Sequence, residues 1–133
     1  MQHFDPNAIV RPTPEAKGYL DVLKNNGSFS RMIDAFVFAA SYAMKHNLEI
    51  VPLPSGRSEL VSLSLIDEDI RLALEASIHI IRQRRGESLP SDSREILDIL
   101  TQYAEAGLKT LKQRWDGKVG IQIQDDIRRL VQT

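Results

Sequence analysis

The residues able to do chemistry are few and scattered. His3, His46 and His79 stand apart, and Glu75, four residues before His79, shares a helical spacing with it. One such pair does not complete a metal coordination set. Asp67, Glu68 and Asp69 form an acidic run with oxygen ligands to offer, but the regularly spaced further oxygens and the turn glycine of a calcium loop are missing. The run reads as the acidic first turn of a helix. Serines occur without a G-x-S-x-G frame, and PSGRS (54–58) lacks the Gly-Lys-Ser end of a phosphate-binding loop, so it reads as a turn. The chain has no cysteine, which removes disulfides, thiolate metal sites and a Cys nucleophile, and suits a reducing compartment. No catalytic, cofactor-binding or metal-ligating residue is expected, and the protein is read as non-enzymatic.

Charge offers two binding candidates. Seventeen basic and eighteen acidic residues nearly cancel, so no global positive field draws the chain to nucleic acid or anionic lipid. The densest local cluster is Arg82, Arg84 and Arg85, backed by Arg71 and Arg94, and phosphate contacts need only charge and reach. The plainer reading is a helix C-terminus with cations opposing its dipole, diluted by Glu87, Asp92 and Glu95. Arg128 and Arg129, preceded by Asp125 and Asp126, are a weaker second group.

The elements that position these residues are mainly helical. Ser30–Asn47 is apolar nearly all round, while Arg31, Asp34, Ser41 and Lys45 fall at offsets of 3, 7 and 4 on one narrow stripe. Such a helix belongs inside a protein, jacketed by others. Ser30 is expected to cap it and Asn47 to take the left-handed exit. Before it, residues 1–13 lack periodicity and read as a flexible arm, and Thr13-Pro14 opens a short helix ending at Asn25-Asn26-Gly27.

Residues 48–65 contain Pro52, Pro54 and Gly56, which forbid a continuous helix. Val61, Leu63 and Leu65 alternate with serines, a strand-like period that favours a short extended segment, with LEIVPL and ELVSLSL available to pair as one small β-hairpin. Asp67 starts a helix burying Ile70, Leu74, Ile78 and Ile81, with His79 at its surface or boundary. Asp92 and Glu95 make a capping pair for the longest helix, whose stripe runs Leu97, Leu100, Ala104, Leu108, Leu111 and Trp115. Gly107 within it costs about 1 kcal/mol relative to Ala. Close approach of another backbone beside Ala104 and Ala106 would offset that. Gly117 ends the helix, and Ile123, Ile127, Leu130 and Val131 mark a short last one. The expectation is one mainly-α domain, residues 14–133, of four to five helices around a central buried helix.

FSRMIDAFVFAASYAMKHN together with ILDILTQYAEAGLKTLK resembles the small DNA phosphorothioation-associated family labelled Dnd system-associated protein 4. The residues carrying the resemblance are Phe29, Asp34, Phe36, Phe38, Ala39 and Ala40, then Pro52-Leu53, then Tyr103, Ala104, Gly107 and Leu108. Glu105-Ala106 replaces the usual Asn-Gly, and Ala43 stands at a position often glycine. The resemblance implies a bacterial accessory protein working beside DNA modification or restriction machinery, and it carries over no catalytic residues. The expected function is a non-catalytic adaptor in the cytoplasm, homodimeric and bound to protein partners through the exposed surface of the long helix at Tyr103, Ala104, Ala106 and Gly107. The alternative is a sequence-nonspecific DNA-binding accessory using the arginine cluster. No signal peptide and no apolar run of membrane-spanning length is read in the chain.

Overall fold

The computed structural model describes residues 1–132. Thr133, the last residue of the expected domain, lies outside the described residues. Five α-helices follow in order: α1 Pro14–Asn25, α2 Met32–Lys45, α3 Glu68–Arg84, α4 Ser93–Arg114 and α5 Gly120–Gln132. The mainly-α expectation is met. None of these helices is long and apolar enough to cross a membrane.

The central position of α2 follows from its composition. Ile33, Ala35, Phe36, Ala39, Ala40 and Ala43 are all buried, and helices α1, α3 and α4 pack around it. Its broadest partner is α4, whose stripe Leu100, Ala104, Leu108, Leu111 and Trp115 is buried as the spacing predicts. The two helices meet so closely at Gly107 that a Cβ there would lie 2.0 Å from the carbonyl oxygen of Ala39. Only a residue without a side chain fits.

Helix boundaries follow mostly local rules. Thr13 caps α1 by accepting from the Ala16 amide at 3.1 Å. Asp92 accepts from the Glu95 amide at 2.8 Å, and the Glu95 carboxylate returns to the Ser91 amide and hydroxyl. Those two bonds hold Glu95 below the ordinary carboxylate range. Asn47 takes the left-handed exit from α2 at φ 55°. The cap of α2 differs from expectation. Arg31, not Ser30, occupies the N-cap, with no side-chain capping bond. Its guanidinium is held by Asp34 and the Leu65 carbonyl, which fixes the residue in extended backbone and starts the helix after it.

The expected hairpin is absent. The extended segment 58–62 does pair antiparallel, but with the N-terminal arm. Val10 donates to Val61 at 2.8 Å, Leu60 to Val10 at 2.9 Å and Ser58 to Pro12 at 2.8 Å, around an Ile9–Ser62 bridge. A 3-10 turn at Leu63–Leu65 then leads into α3. These bonds anchor residues 8–12 of the arm to the segment before α3. Phe4, Val10 and Pro12 are buried, and Thr13 donates through its amide and hydroxyl to Glu105 on α4 at 3.0 and 2.7 Å.

Helix α3 is rotated from its expected face. Leu74, Glu75, Ile78 and His79 are buried, whereas Ile70 is largely exposed and Ile81 is only half-buried. The arm explains the rotation. Buried Glu75 accepts from the Phe4 amide at 2.5 Å and meets His3 Nδ1 at 2.8 Å, so a carboxylate is stable inside. His79 sits inside as well, with Nδ1 bonded to the Glu75 carbonyl at 2.7 Å. At the other end of the chain, Asp126 fastens α5 to α4. It accepts from Arg114 Nε at 2.6 Å, Arg114 Nη2 at 2.9 Å and Trp115 Nε1 at 2.7 Å, and the Arg114 guanidinium holds its carboxyl far below the usual range.

Candidate functional site

The polar stripe of α2 does not simply face solvent. It floors a groove of about 460 Å³ bounded by Ile66, Asp67 and the first turn of α3 on one side and the end of α5 on the other. Phe29, Val37, Phe38 and Tyr42 supply most of the floor, and Ile66, Ile70, Leu130 and Val131 supply the walls. Phe38 is held by its own packing, tilted against Phe29 at 5.6 Å between centroids and stacked over Trp115 at 6.2 Å. The row Phe29–Phe38–Trp115 ends at Asp126, so the rear of the groove is braced by the bonds that fix α5. Rigid aromatic floors of this kind retain their shape when empty.

Several of the polar groups around the groove are tied to neighbours. Asp34 receives two bonds from Arg31, at 2.8 and 3.2 Å, and Lys45 donates to the Leu130 carbonyl at 3.2 Å. The His46 ring lies against Tyr42 at 4.3 Å. At the start of α2 the groove carries Arg31, Asp34 and Asp67, with Arg31 paired to Asp34, and at its end Lys45. The lining is mostly apolar, and several of its walls stand open: Ile70 is 43% exposed and Val131 69%. This arrangement can hold an apolar surface in a defined direction.

The residues singled out from sequence sit elsewhere. Tyr103, Ala104 and Gly107 are buried against α2, and Ala106 is partly covered, so the surface expected to meet another protein is internal. The small residues do allow close packing, but against Ala39 of the same chain. Burial also pushes the Tyr103 hydroxyl up, and that of Tyr19 to about 12, so both stay protonated at neutral pH.

The arginine cluster is likewise dispersed. Arg71 donates inward to the Leu63 and Ile66 carbonyls, capping the loop before α3. Arg82 and Arg85 both pair with Glu87, at 3.3 and 3.9 Å, and Arg85 also bonds Asn47. Arg84 and Arg94 are exposed, and Arg94 lines a separate 320 Å³ polar cavity with Arg11, Arg57, Asp5 and Asp98. There Arg57 pairs with Asp98 at 3.6 Å, and Arg11 pairs with Glu59 at 2.8 Å. Among the described residues, no three His, Asp or Glu side chains gather where they could hold a metal ion.

Sequence reasoning missed the groove because it is a product of three separated segments. The apolar residues Val37 and Phe38 beside the polar stripe, half-buried in the structure, were its one local signal. The sequence profile of the DNA sulphur modification system-associated protein 4 family matches residues 16–132, from the first turn of α1 through the end of α5. The chain belongs to that family. The match includes every groove-lining residue, and the family is associated with the DNA sulphur modification system. Comparison with curated proteins and with solved structures gives no match.

Proposed function

We propose that this protein is a non-catalytic accessory protein of the DNA sulphur modification system, acting in the cytoplasm by protein–protein contact. Its docking surface is the groove over α2, and its occupant is an amphipathic helix of another protein of that system. The observation that carries this reading is the open apolar groove itself, with a braced aromatic floor and with Asp34 and Lys45 on its rim already bonded to neighbours. A reaction centre needs unengaged acids and bases converging on one point, whereas a docking groove needs apolar area and a charge pattern that sets direction. Arg31 offsets Asp34, which leaves Asp67 as the acid at one end and Lys45 as the cation at the other, and that pattern favours a helix with a basic end and an acidic end.

The test is titration of the purified chain against each purified protein of the same modification system. Saturable binding to one of them, weakened at least tenfold by Val37→Glu or Val131→Glu with the melting temperature unchanged, is the expected result. Binding to none of them overturns the reading. So does a steeply salt-dependent affinity for duplex DNA that Arg84→Ala and Arg94→Ala abolish, since that assigns the protein to nucleic acid instead.

A further inference from the structure

Helix α3 covers only part of its surface. It packs on α2 and α4 through Leu74, Ile78 and His79, and the opposite face carries Leu72, Ala73, Ala76 and Ile80. Leu72 is 43% and Ile80 45% exposed. A helix with apolar groups on its solvent side is incomplete as a free surface. The arrangement of this face is symmetric about Ala76. Leu72 lies four residues before it and Ile80 four residues after it. Asp69 stands seven residues before Ala76 and Arg84 eight after it, about 11 and 12 Å along the axis at 1.5 Å per residue. Both charged groups are exposed, and neither forms an ion pair among the described residues.

Two antiparallel copies of such a helix satisfy each other. We propose that this protein forms a two-fold homodimer through α3, with Ala76 at the axis, Leu72 of one protomer against Ile80 of the other, and Asp69 facing Arg84 across each end. A two-fold interface must be self-complementary, pairing each position with its mirror about the axis. The α3 face meets that condition in both shape and charge. Ala73, Ala76 and Ser77 allow close approach at the centre, and the Ser77 hydroxyl already donates to the Ala73 carbonyl at 2.9 Å, so covering it strands no donor. Antiparallel packing also sets the two helix dipoles against each other favourably. This surface is separate from the groove over α2, so a dimer would present two docking sites.

The absence of cysteine makes the test clean. Ala76→Cys places identical thiols at the axis, where facing Cα atoms come within disulfide reach. Mild oxidation of the full chain is expected to yield a covalent dimer, while Val22→Cys on α1 yields at most a small fraction. Sedimentation of the unmodified chain should show a concentration-dependent dimer. Asp69→Arg or Arg84→Asp alone should weaken it at least tenfold, and the double exchange should restore most of the loss. A chain that stays monomeric up to several hundred micromolar overturns the proposal. So does equal crosslinking at residues 22 and 76, or a dimer indifferent to the charge exchanges.

Discussion

The backbone of Gly107 rests on that of Ala39, with no room for even one carbon between α4 and α2. Adding a methyl there forces the two longest-contacting helices apart. We expect Gly107→Ala to lower stability by about 2–3 kcal/mol, although Ala is the better helix former by about 1 kcal/mol. Gly18, in the middle of α1, has nothing within 4 Å of a built Cβ. Gly18→Ala should therefore raise stability by about 0.5–1 kcal/mol. Urea unfolding of both variants checks the contrast, and equal effects of one sign would contradict the close crossing.

Asp126 should make stability depend on pH at the acid end. Its carboxyl titrates well below the usual range because Arg114 and Trp115 donate to the ionised form. A depressed folded-state value contributes stability that is present above the unfolded value of about 4 and is lost as pH falls toward the folded one. Asp126→Asn should cost about 2–3 kcal/mol at neutral pH, and the gap between variant and parent should narrow as pH is lowered below about 4. Thermal melts across that range measure it. A gap that stays constant would contradict the assigned bonds.

Glu105 should act as the tether of the N-terminal arm. Its two oxygens take both donors of Thr13, the residue that also caps α1. Glu105→Ala leaves those donors without their partners and should cost about 1–2 kcal/mol. Hydrogen exchange should quicken at Val10 and Leu60 before it quickens in α4, because the arm's pairing with residues 58–63 is the weaker element. Uniform quickening would mean that the arm and the helices open together.

What could be read from sequence was set by local chemistry. The burial of α2, the stripe of α4, the Thr13 and Asp92 caps and the crossing at Gly107 all follow from periodicity, caps and small residues within one element. What could not be read depends on which distant backbone comes alongside. Val61, Leu63 and Leu65 announced an extended segment, but it ends at Ser62, where Leu63–Leu65 turn as a 3-10 helix, and nothing local could name the arm as its partner. The face of α3 was ambiguous because Ile70, Leu72, Leu74, Ile78, Ile80 and Ile81 lie all round the helix. The choice fell to Glu75, whose buried carboxylate needs the amide of Phe4, 71 residues earlier. The small residues at Ala104 and Gly107 signalled close contact without saying whether the partner lay inside or outside the chain. The groove was hidden for the same reason, being assembled from the ends of α3 and α5 around the α2 stripe.

The proposed docking role of α2 is tested most directly by a photo-crosslinking amino acid placed at Ser41, an exposed position lining the groove. The substituted chain would be co-produced with the remaining proteins of its own DNA sulphur modification system, irradiated, and the adducts identified by mass spectrometry. One dominant adduct to a helix of one of those proteins is expected, lost when Val37→Glu is added. Adducts to DNA, or an adduct pattern unchanged by Val37→Glu, would contradict it.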